Sequence, residues 1–520
     1  MLRGKRHEPY PYSNGAVDEH SPLQGFPTCS PTTQNSCSKD YYHTEGAYMF
    51  IKSRLIIFIT ISLFAVQSHG QQSPNSLALT VDVSHRMGSI RPLQDLDNGP
   101  LCQRGIVDLT RYYKELGVRT VRLHDVPWTY DNAFDINYVF PKWDAAVDNP
   151  SNYDFKQTDF YLNTITSLGI NVIYRLGYSA EYKTAVHHNN PPPSYQKFAD
   201  ISAHIVQHHN QGWADGQRLG IRYWEIWNEP DGHTFWAGTP EEYDRLYETT
   251  AKTLKRMDPS LKVGGPALAA NLKFLDQFLN YCQHHQVPVD FVSWHSYSQD
   301  PNEVTRVAQR VHEMMKQYGF EHAESILDEW NYGPGNWKNL FTDAKATRAY
   351  FDATENETGA AYDATVLMKL QDAPVDIATF YSGTTLMWGM FTSSGAPQKP
   401  YYAFLAFRRL LDSPDRVAVD VGGDASVTAL AGISQDRRTV RVLISNRSKT
   451  SRKLELKLEG LPWKESTRYQ EEVVNDRYDL KAVGAGAVPS SSRLAEQVDG
   501  ESVVLLTIQP SGPQSDVANP

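Results

Sequence analysis

Residues 221–230 read IRYWEIWNEP, in which a short apolar strand ends abruptly in the polar pair Asn228 and Glu229. Residues 325–331 repeat this arrangement as SILDEWN, where Glu329 follows the apolar run. Short apolar strands separated by amphipathic helices are typical of βα units, which build a parallel sheet. The two stretches therefore predict an α/β fold with carboxylates at the ends of its strands.

Similar strands and helices alternate between residues 77 and 411. The predicted strands are 89–93, 120–124, 171–176, 223–227, 262–265, 291–295, 325–328 and 377–381. The predicted helices are 195–209, 241–257, 272–284, 303–318 and 401–411. Each helix is long enough for a right-handed crossover between parallel strands. Eight βα units indicate a TIM (β/α)8 barrel.

After residue 411 the pattern changes to strands without helices, which predicts a β-sandwich over 412–509. Its predicted strands are 416–420, 426–431, 440–445, 453–458, 468–474 and 502–508. Residues 77–83 read LALTVDV and could join this sandwich instead of the barrel. The tail from 510 to 520 is predicted to be disordered.

The N-terminal region contains two segments of different character. Residues 1–48 are rich in Pro, Ser, Thr, Tyr and His, which predicts disorder. From Met49 onward, basic residues, an apolar stretch over 55–66 and small residues follow one another as in a signal peptide, which we place at 49–70. We therefore expect a secreted or periplasmic protein, and translation from Met49 would leave out the first segment. A membrane anchor is the alternative, although the 12 apolar residues are fewer than the roughly 18 that span a bilayer.

The composition excludes some classes of function. The chain has 50 Lys and Arg against 60 Asp and Glu, a net charge of -10, whereas a nucleic-acid binder normally presents a basic surface. Aromatic residues make up 12% of the chain, which favours surfaces that stack on flat ligands such as sugar rings. Stable insertion into a membrane is not expected.

Histidines and cysteines show no metal-binding spacing. The sequence contains neither HExxH nor CxxC, and the histidine doublets at 187–188, 208–209 and 284–285 fall in loops or at helix ends. No GxGxxG motif is present either, so no metal ligand and no cofactor is predicted. Of the cysteines in the predicted domains, Cys102 and Cys282, we expect two separately buried thiols, with one disulfide as the alternative.

Two carboxylates are candidates for catalysis. The reactive residues of a TIM barrel project from the C-terminal ends of its strands, and Glu229 and Glu329 end the fourth and seventh strands on opposite sides of the barrel. Glycoside hydrolysis requires such a pair, one protonated acid and one ionised carboxylate. Glu225 and Asp328 lie close to them in sequence and are predicted to make structural hydrogen bonds.

Polar and aromatic residues at other strand ends are candidates for substrate contacts. His295 and Tyr297 lie two residues apart, hence on one face of a strand, and His295 would favour an ionised Glu329 if it formed a hydrogen bond with it. Arg122 and Arg175 are possible clamps for a sugar carboxylate. The predicted substrate-binding residues are His124, Asp125, Asn228, His295, Tyr297, Trp330 and Tyr381.

The sequence resembles glycoside hydrolase family 39, which contains β-xylosidases and α-L-iduronidases. The resemblance rests on WNEPDGHTFW at 227–236, on the helix and strand at 241–267, and on VPVDFVSWHSYS at 287–298. It implies a retaining mechanism with Glu229 as acid/base and Glu329 as nucleophile. It further implies that Asn228 bonds the sugar 2-hydroxyl, and that His295 of the His-x-Tyr pair lies close to the bound sugar.

Two departures from the β-xylosidase members concern the substrate. Those members carry acidic residues after strand eight, whereas residues 379–395 read TFYSGTTLMWGMFTSSG, and Asp125 stands where they have glycine. We expect cleavage of terminal β-linked xylose or a similar sugar. The alternatives are an arabinosyl, galactosyl, glucosyl or uronic-acid linkage, an exopolysaccharide substrate, or an inactive carbohydrate-binding barrel.

Overall fold

The computed structural model describes residues 76–126, 133–179, 189–340, 342–385, 387–489 and 492–511. The predicted signal peptide, the segment before it and the predicted tail beyond residue 511 lie outside these ranges. Within them, no helix combines the length and the apolar character needed to cross a bilayer.

Eight parallel strands close into a barrel and follow one another around it in chain order. They are Asp95–Asp97, Thr120–Leu123, Asn171–Leu176, Tyr223–Ile226, Lys262–Leu268, Phe291–Ser298, Glu324–Tyr332 and Ile377–Phe380. The fold confirms the predicted TIM barrel, in which the carboxyl ends of all eight strands meet at one mouth.

The first barrel strand was predicted at 89–93, and this prediction is wrong. The strand consists of Asp95–Asp97, and both of its aspartates are buried. Aspartate is a poor strand former, so the apolar pattern gave no signal here. Asp95 Oδ1 instead accepts hydrogen bonds from the backbone N–H groups of Arg119 (2.7 Å) and Thr120 (3.0 Å), which fixes the start of the second strand.

Ten α-helices are present in the described ranges. All five predicted helices are among them, and each predicted end lies within two residues of the observed one. The helices are Thr110–Leu116, Ile136–Val139, Lys156–Thr166, Tyr195–Asn210, Pro240–Met257, Leu272–His284, Pro301–Gln317, Ala344–Glu355, Glu357–Lys369 and Lys399–Leu410. A short antiparallel pair, Leu101–Cys102 with Val107–Asp108, follows the first barrel strand. Cys102 and Cys282 are separate buried thiols, as expected.

The remaining strands form one nine-stranded sheet, which we call the β-domain. Their order across the sheet is Asp479–Val488, Thr467–Val474, Ser502–Pro510, Val440–Asn446, Val427–Ile433, Asp415–Asp420, Ser76–Ser89, Arg452–Glu459 and Arg493–Val498. Ser76–Ser89, which contains the predicted strand at 77–83, pairs antiparallel with Asp415–Asp420 and parallel with Arg452–Glu459.

Two strands of the β-domain, Asp479–Val488 and Arg493–Val498, have no counterpart in the sequence prediction. Most of their residues are exposed, and the first reads DLKAVGAGAV, which lacks the apolar alternation of a half-buried strand. The strand Ser502–Pro510, which is the last in the chain, ends one residue inside the predicted tail.

The β-domain packs against the barrel through the helix Glu357–Lys369, whose residues are almost all buried. Ser445 of the sheet donates a hydrogen bond to the carbonyl of Ala361 (2.7 Å), and Thr365 donates one to Ser445 Oγ (3.1 Å). The contact lies beside the seventh and eighth βα units, so it supports the outside of the barrel next to the strand that carries Glu329.

Candidate active site

Glu229 and Glu329 meet at the mouth of the barrel. Strand four ends at Ile226, and the backbone then turns through Trp227 (φ 72°) and Glu229 (φ 46°), both in the left-handed region. The Glu229 N–H donates to the carbonyl of Ala267 on strand five (3.0 Å), which holds this turn in place. Glu329 lies within strand seven, and one oxygen of each carboxylate lies within 4.8 Å of the other.

His295 of strand six lies between the two carboxylates. Its Nδ1 is 2.7 Å from Glu229 Oε1 and 3.5 Å from Glu329 Oε2, and its Nε2 is 3.6 Å from Asp328 Oδ1. The short hydrogen bond is thus made to Glu229, and the condition under which His295 would act on Glu329, a hydrogen bond between them, is not met. Burial opposes protonation of this imidazole, but the charges of Glu329 and Asp328 outweigh it and raise the pKa of His295 well above its usual value.

The surroundings of Glu229 favour its protonated form. Burial is the main cause that raises the pKa of Glu229, and the charge of Glu329 raises it further, while the hydrogen bond from His295 opposes both. An acid that retains its proton at higher pH is what the donor to a leaving group requires. At Glu329, Tyr297 Oη donates to Oε2 at 2.7 Å and Arg122 Nη1 lies 2.6 Å from Oε1.

Arg122 is the centre of a buried charge network under the site. Its guanidinium is fully buried and contacts Glu329 (2.6 Å), Asn228 (2.7 Å), Glu225 (2.7 Å), Asp328 (3.3 Å) and Asp97 (3.4 Å). Four carboxylates around one cation leave the network with an excess of negative charge. Burial raises the pKa of Glu225 to about 8, although Arg122 opposes the shift, so part of this excess is relieved by protonation.

The two arginines considered as clamps differ in their contacts. The Arg122 guanidinium is surrounded by the buried groups just described, so its interpretation as a clamp is wrong. Arg175 is fully buried and its Nη2 contacts Asp135 (2.8 Å) and Ser179 (2.8 Å), whereas its Nε and Nη1 have no hydrogen-bond partner in the described residues, and its role as a clamp stays a prediction. Glu225 and Asp328 both lie in the Arg122 network, which agrees with a structural role.

Asn228 presents a hydrogen-bond donor beside the two glutamates. Its Oδ1 accepts from Arg122 Nη2 at 2.7 Å, which fixes the orientation of the amide. Its Nδ2 is buried and has no hydrogen-bond partner among the residues that the structure describes. A buried amide N–H without a partner is costly, so this group is suited to a ligand hydroxyl.

Aromatic side chains lie around the mouth on the side of strand seven. The ring of Tyr297 lies 5.6 Å from Trp337 and 6.5 Å from Tyr381, in both cases edge to face. Trp337 is 52% exposed and lies in the loop after strand seven. Sequence reasoning missed it because it belongs to no strand or helix pattern, and only its proximity to Tyr297 indicates a role.

His124 and Asp125 follow the second strand at the same mouth. The ring of His124 lies 6.4 Å from that of Phe235, and the His124 N–H donates to Asn98 Oδ1 at 3.1 Å. Burial, together with the cations Arg175 and Arg122, holds the pKa of His124 well below its usual value, so the imidazole is neutral. Asp125 adopts a left-handed backbone conformation (φ 53°), which turns the chain at the rim.

Trp330 does not belong to the site, and its prediction as a substrate contact is wrong. The side chain is fully buried, stacks on Phe404 of the helix Lys399–Leu410 (5.9 Å, 17°) and lies 5.1 Å from Phe380. Because successive side chains of a strand alternate between its two faces, Trp330 points out of the barrel when Glu329 points in.

A closed (β/α)8 barrel with two carboxylates facing each other at its mouth is the arrangement that a glycoside hydrolase requires. The model of glycosyl hydrolases family 39 matches residues 94–416, which span the barrel. The chain therefore belongs to glycosyl hydrolases family 39.

Relatives and solved structures agree with this assignment. The chain is 29% identical to a β-xylosidase of Geobacillus stearothermophilus over 43% of its own length and 48% of that protein, and thus spans about half of that relative. It is 25% identical to a β-xylosidase of Caldicellulosiruptor saccharolyticus over 64% of its own length and 70% of that protein. The crystal structure of a glucosidase from Croceicoccus marinus matches the fold with a TM-score of 0.68 at 24% identity, covering 84% of this chain and all of that one.

Proposed function

We propose that this protein is a secreted, retaining glycoside hydrolase that releases terminal β-linked xylose or a similar sugar from oligosaccharides or polysaccharides. The observation that carries the proposal is the approach of a Glu229 oxygen to within 4.8 Å of a Glu329 oxygen. Retaining enzymes hold their carboxyl groups about 5–5.5 Å apart, and inverting enzymes about 6.5–9.5 Å apart. The two β-xylosidase relatives support the sugar, and the signal-peptide pattern from Met49 supports secretion.

The proposed mechanism gives each glutamate one role. In the first step Glu329 attacks the anomeric carbon, the bond to the leaving oxygen breaks, and Glu229 gives that oxygen its proton. In the second step Glu229 takes a proton from water, the water oxygen bonds to the anomeric carbon, and Glu329 leaves as a carboxylate. The Asn228 amide is placed to donate to a sugar hydroxyl during both steps.

Groups around Glu329 orient its carboxylate for the attack. Tyr297 donates a hydrogen bond to one of its oxygens and Arg122 donates one to the other. His124, Asp125, Tyr381 and the exposed ring of Trp337 surround the mouth and are proposed to contact the sugar.

The mechanism is tested by the anomer that is released first. With a nitrophenyl β-xyloside as substrate, we expect proton NMR to show β-xylose before mutarotation. An α-anomer released first would contradict the retaining mechanism.

The sugar that the enzyme releases is identified by rates of hydrolysis on a panel of nitrophenyl xylosides, arabinosides, galactosides, glucosides and glucuronides. Failure to hydrolyse any of them would favour the inactive carbohydrate-binding barrel.

Replacing Glu229 with Ala should separate substrates by their leaving groups. Nitrophenolate departs without a proton, so kcat/KM on a nitrophenyl glycoside should fall by a factor of about 10 or less, whereas an oligosaccharide should lose about 10²–10⁴-fold. Glu241→Ala, on the outer helix Pro240–Met257, is the control and should change neither value. Equal losses on both substrates would contradict the acid/base role.

Replacing His295 with Asn should shift the basic limb of the pH profile upward. A cation beside Glu229 favours its ionised form and lowers its pKa, so removing the charge while an amide donor remains raises the pKa of Glu229. The acid then keeps its proton to higher pH, so kcat/KM on an oligosaccharide should begin to fall at a higher pH than in the wild type. The exposed His285→Asn serves as control, and an unmoved or lowered basic limb in the His295 variant would contradict this effect.

A further inference from the structure

A cluster of two histidines and one aspartate lies outside the barrel, far from the glutamates. Asp159 belongs to the helix Lys156–Thr166, and His208 and His209 end the helix Tyr195–Asn210. His208 Nε2 is 3.0 Å from Asp159 Oδ1, His209 Nδ1 is 3.6 Å from the same oxygen, and one ligand atom of each residue lies within 4.8 Å of the other two. The three residues lie at the end of the barrel where the strands begin. The His209 carbonyl accepts a hydrogen bond from the N–H of Leu219, which shortly precedes strand four.

The hydrogen bonds of His208 leave its Nε2 turned toward the carboxylate. Its Nδ1 lies 2.8 Å from the carbonyl of Trp213, and a carbonyl can only accept, so Nδ1 carries a proton. Its Nε2 forms a hydrogen bond with Asp159 Oδ1 at 3.0 Å, and a bound metal ion would take the place of the proton between these two atoms. Metal-bound histidines show this arrangement, in which the nitrogen that is not a ligand donates to a backbone carbonyl.

His209 provides the independent indication of a ligand. Its side chain is fully buried, and neither ring nitrogen has a hydrogen-bond partner in the described part of the chain. A buried polar group without a partner costs stability, and native structures rarely keep one. Since Nδ1 is directed toward Asp159, an ion held between the three side chains would give this nitrogen a partner, while Nε2 would carry the proton of the ring.

The surroundings hold the His208 ring in this orientation. Phe155 stacks on it with 3.5 Å between the ring centroids, and a Cβ added at Gly216 would come within 2.6 Å of His208 Nδ1. Preorganised ligands lose little entropy when an ion binds.

We propose that Asp159, His208 and His209 bind a zinc ion, with solvent as the remaining ligand. Two imidazole nitrogens and one carboxylate oxygen are ligands that Zn²⁺ accepts, and tetrahedral zinc places its ligand atoms about 3.3 Å apart, close to the distances found here. Asp159 is 27% exposed, so solvent reaches the open position. The ion would link two neighbouring outer helices and has no part in the hydrolysis.

The metal content of the untagged protein tests this proposal. After dialysis against a small excess of zinc chloride and removal of free ion, we expect elemental analysis to find about one zinc per chain. Treatment with a chelator should remove it and lower the Tm by about 3 °C or more, and zinc chloride should restore both. Activity on a nitrophenyl glycoside should remain unchanged, since the catalytic glutamates lie at the opposite end of the barrel.

Two variants and one control assign the site. Asp159→Ala and His209→Phe should each lower the zinc content at least tenfold, whereas His284→Gln, in an exposed doublet on another helix, should retain it. Activity reports whether each variant is folded, and Asp159→Ala decides the result if the buried substitution fails to fold. The proposal would be overturned if the wild-type protein bound no zinc, or if a folded Asp159→Ala variant retained zinc at wild-type stoichiometry. Asp159 and His208 would then form an ordinary ion pair.

Discussion

Glu329→Gln is expected to reduce hydrolysis by about 10⁴-fold or more on every glycoside, which corresponds to about 5.4 kcal/mol of lost transition-state stabilisation. The amide keeps the shape of the side chain, and its single oxygen can still accept from one of the two donors, Tyr297 or Arg122, but it cannot form the glycosyl-enzyme. The loss should be the same on activated and unactivated substrates, in contrast to Glu229→Ala. Single-turnover and steady-state assays on the nitrophenyl and oligosaccharide substrates measure it.

Glu324→Gln is the matched control, since Glu324 begins the same strand at the opposite end of the barrel and pairs with Lys262. It should keep wild-type kcat/KM. A Glu329→Gln variant that retains a tenth of the activity, with wild-type contamination excluded by mass spectrometry, would show that another group makes the attack.

Arg122→Met is expected to destabilise the fold by about 3–5 kcal/mol at neutral pH, because it leaves buried carboxylates without their cation. The sign of the pH dependence follows from the same carboxylates. Their pKa values in the folded variant lie above those in the unfolded chain, so the folded state binds more protons and stability falls as pH rises. The penalty should be small in acid, below the unfolded carboxyl pKa values, and should grow as pH rises through the folded ones.

Denaturant unfolding at several pH values measures this effect. The control is Arg119→Met, since the Arg119 side chain is half exposed and lies 3.8 Å from the buried Asp95, and solvent screens such a cation so that its loss should cost about 1 kcal/mol. Equal losses for the two variants, or a loss at Arg122 that does not depend on pH, would show that the guanidinium stabilises the barrel by packing alone.

The sequence contained the signals for most of the barrel and for the two glutamates. Buried parallel strands read as apolar runs, so a polar tip such as Asn228 and Glu229 stands out against them. Because all strand ends of a barrel meet at one mouth, the position of each tip in the strand order was enough to predict that Glu229 and Glu329 face each other.

Other features depended on distances that only the closed barrel sets. Asp95–Asp97 was missed because a polar strand is stabilised by its partners, here the N–H groups ahead of strand two, and not by an apolar pattern. His295 lies between the two carboxylates, and strand parity cannot decide which of them receives its short hydrogen bond. The Arg122 network joins side chains from strands one, two, four and seven, whose convergence has no local signature.

The strand Ser76–Ser89 gives the β-domain a discontinuous origin in the chain. It precedes the barrel by a few residues, yet both of its neighbours in the sheet, Asp415–Asp420 and Arg452–Glu459, come more than 300 residues later. During synthesis this apolar strand must wait for the whole barrel to emerge before it can pair. No single cut separates the two domains, since a chain truncated after the barrel would keep the strand with its edges exposed to aggregation. Cutting on both sides, after Ser89 and before Asp415, is the way to excise the catalytic barrel.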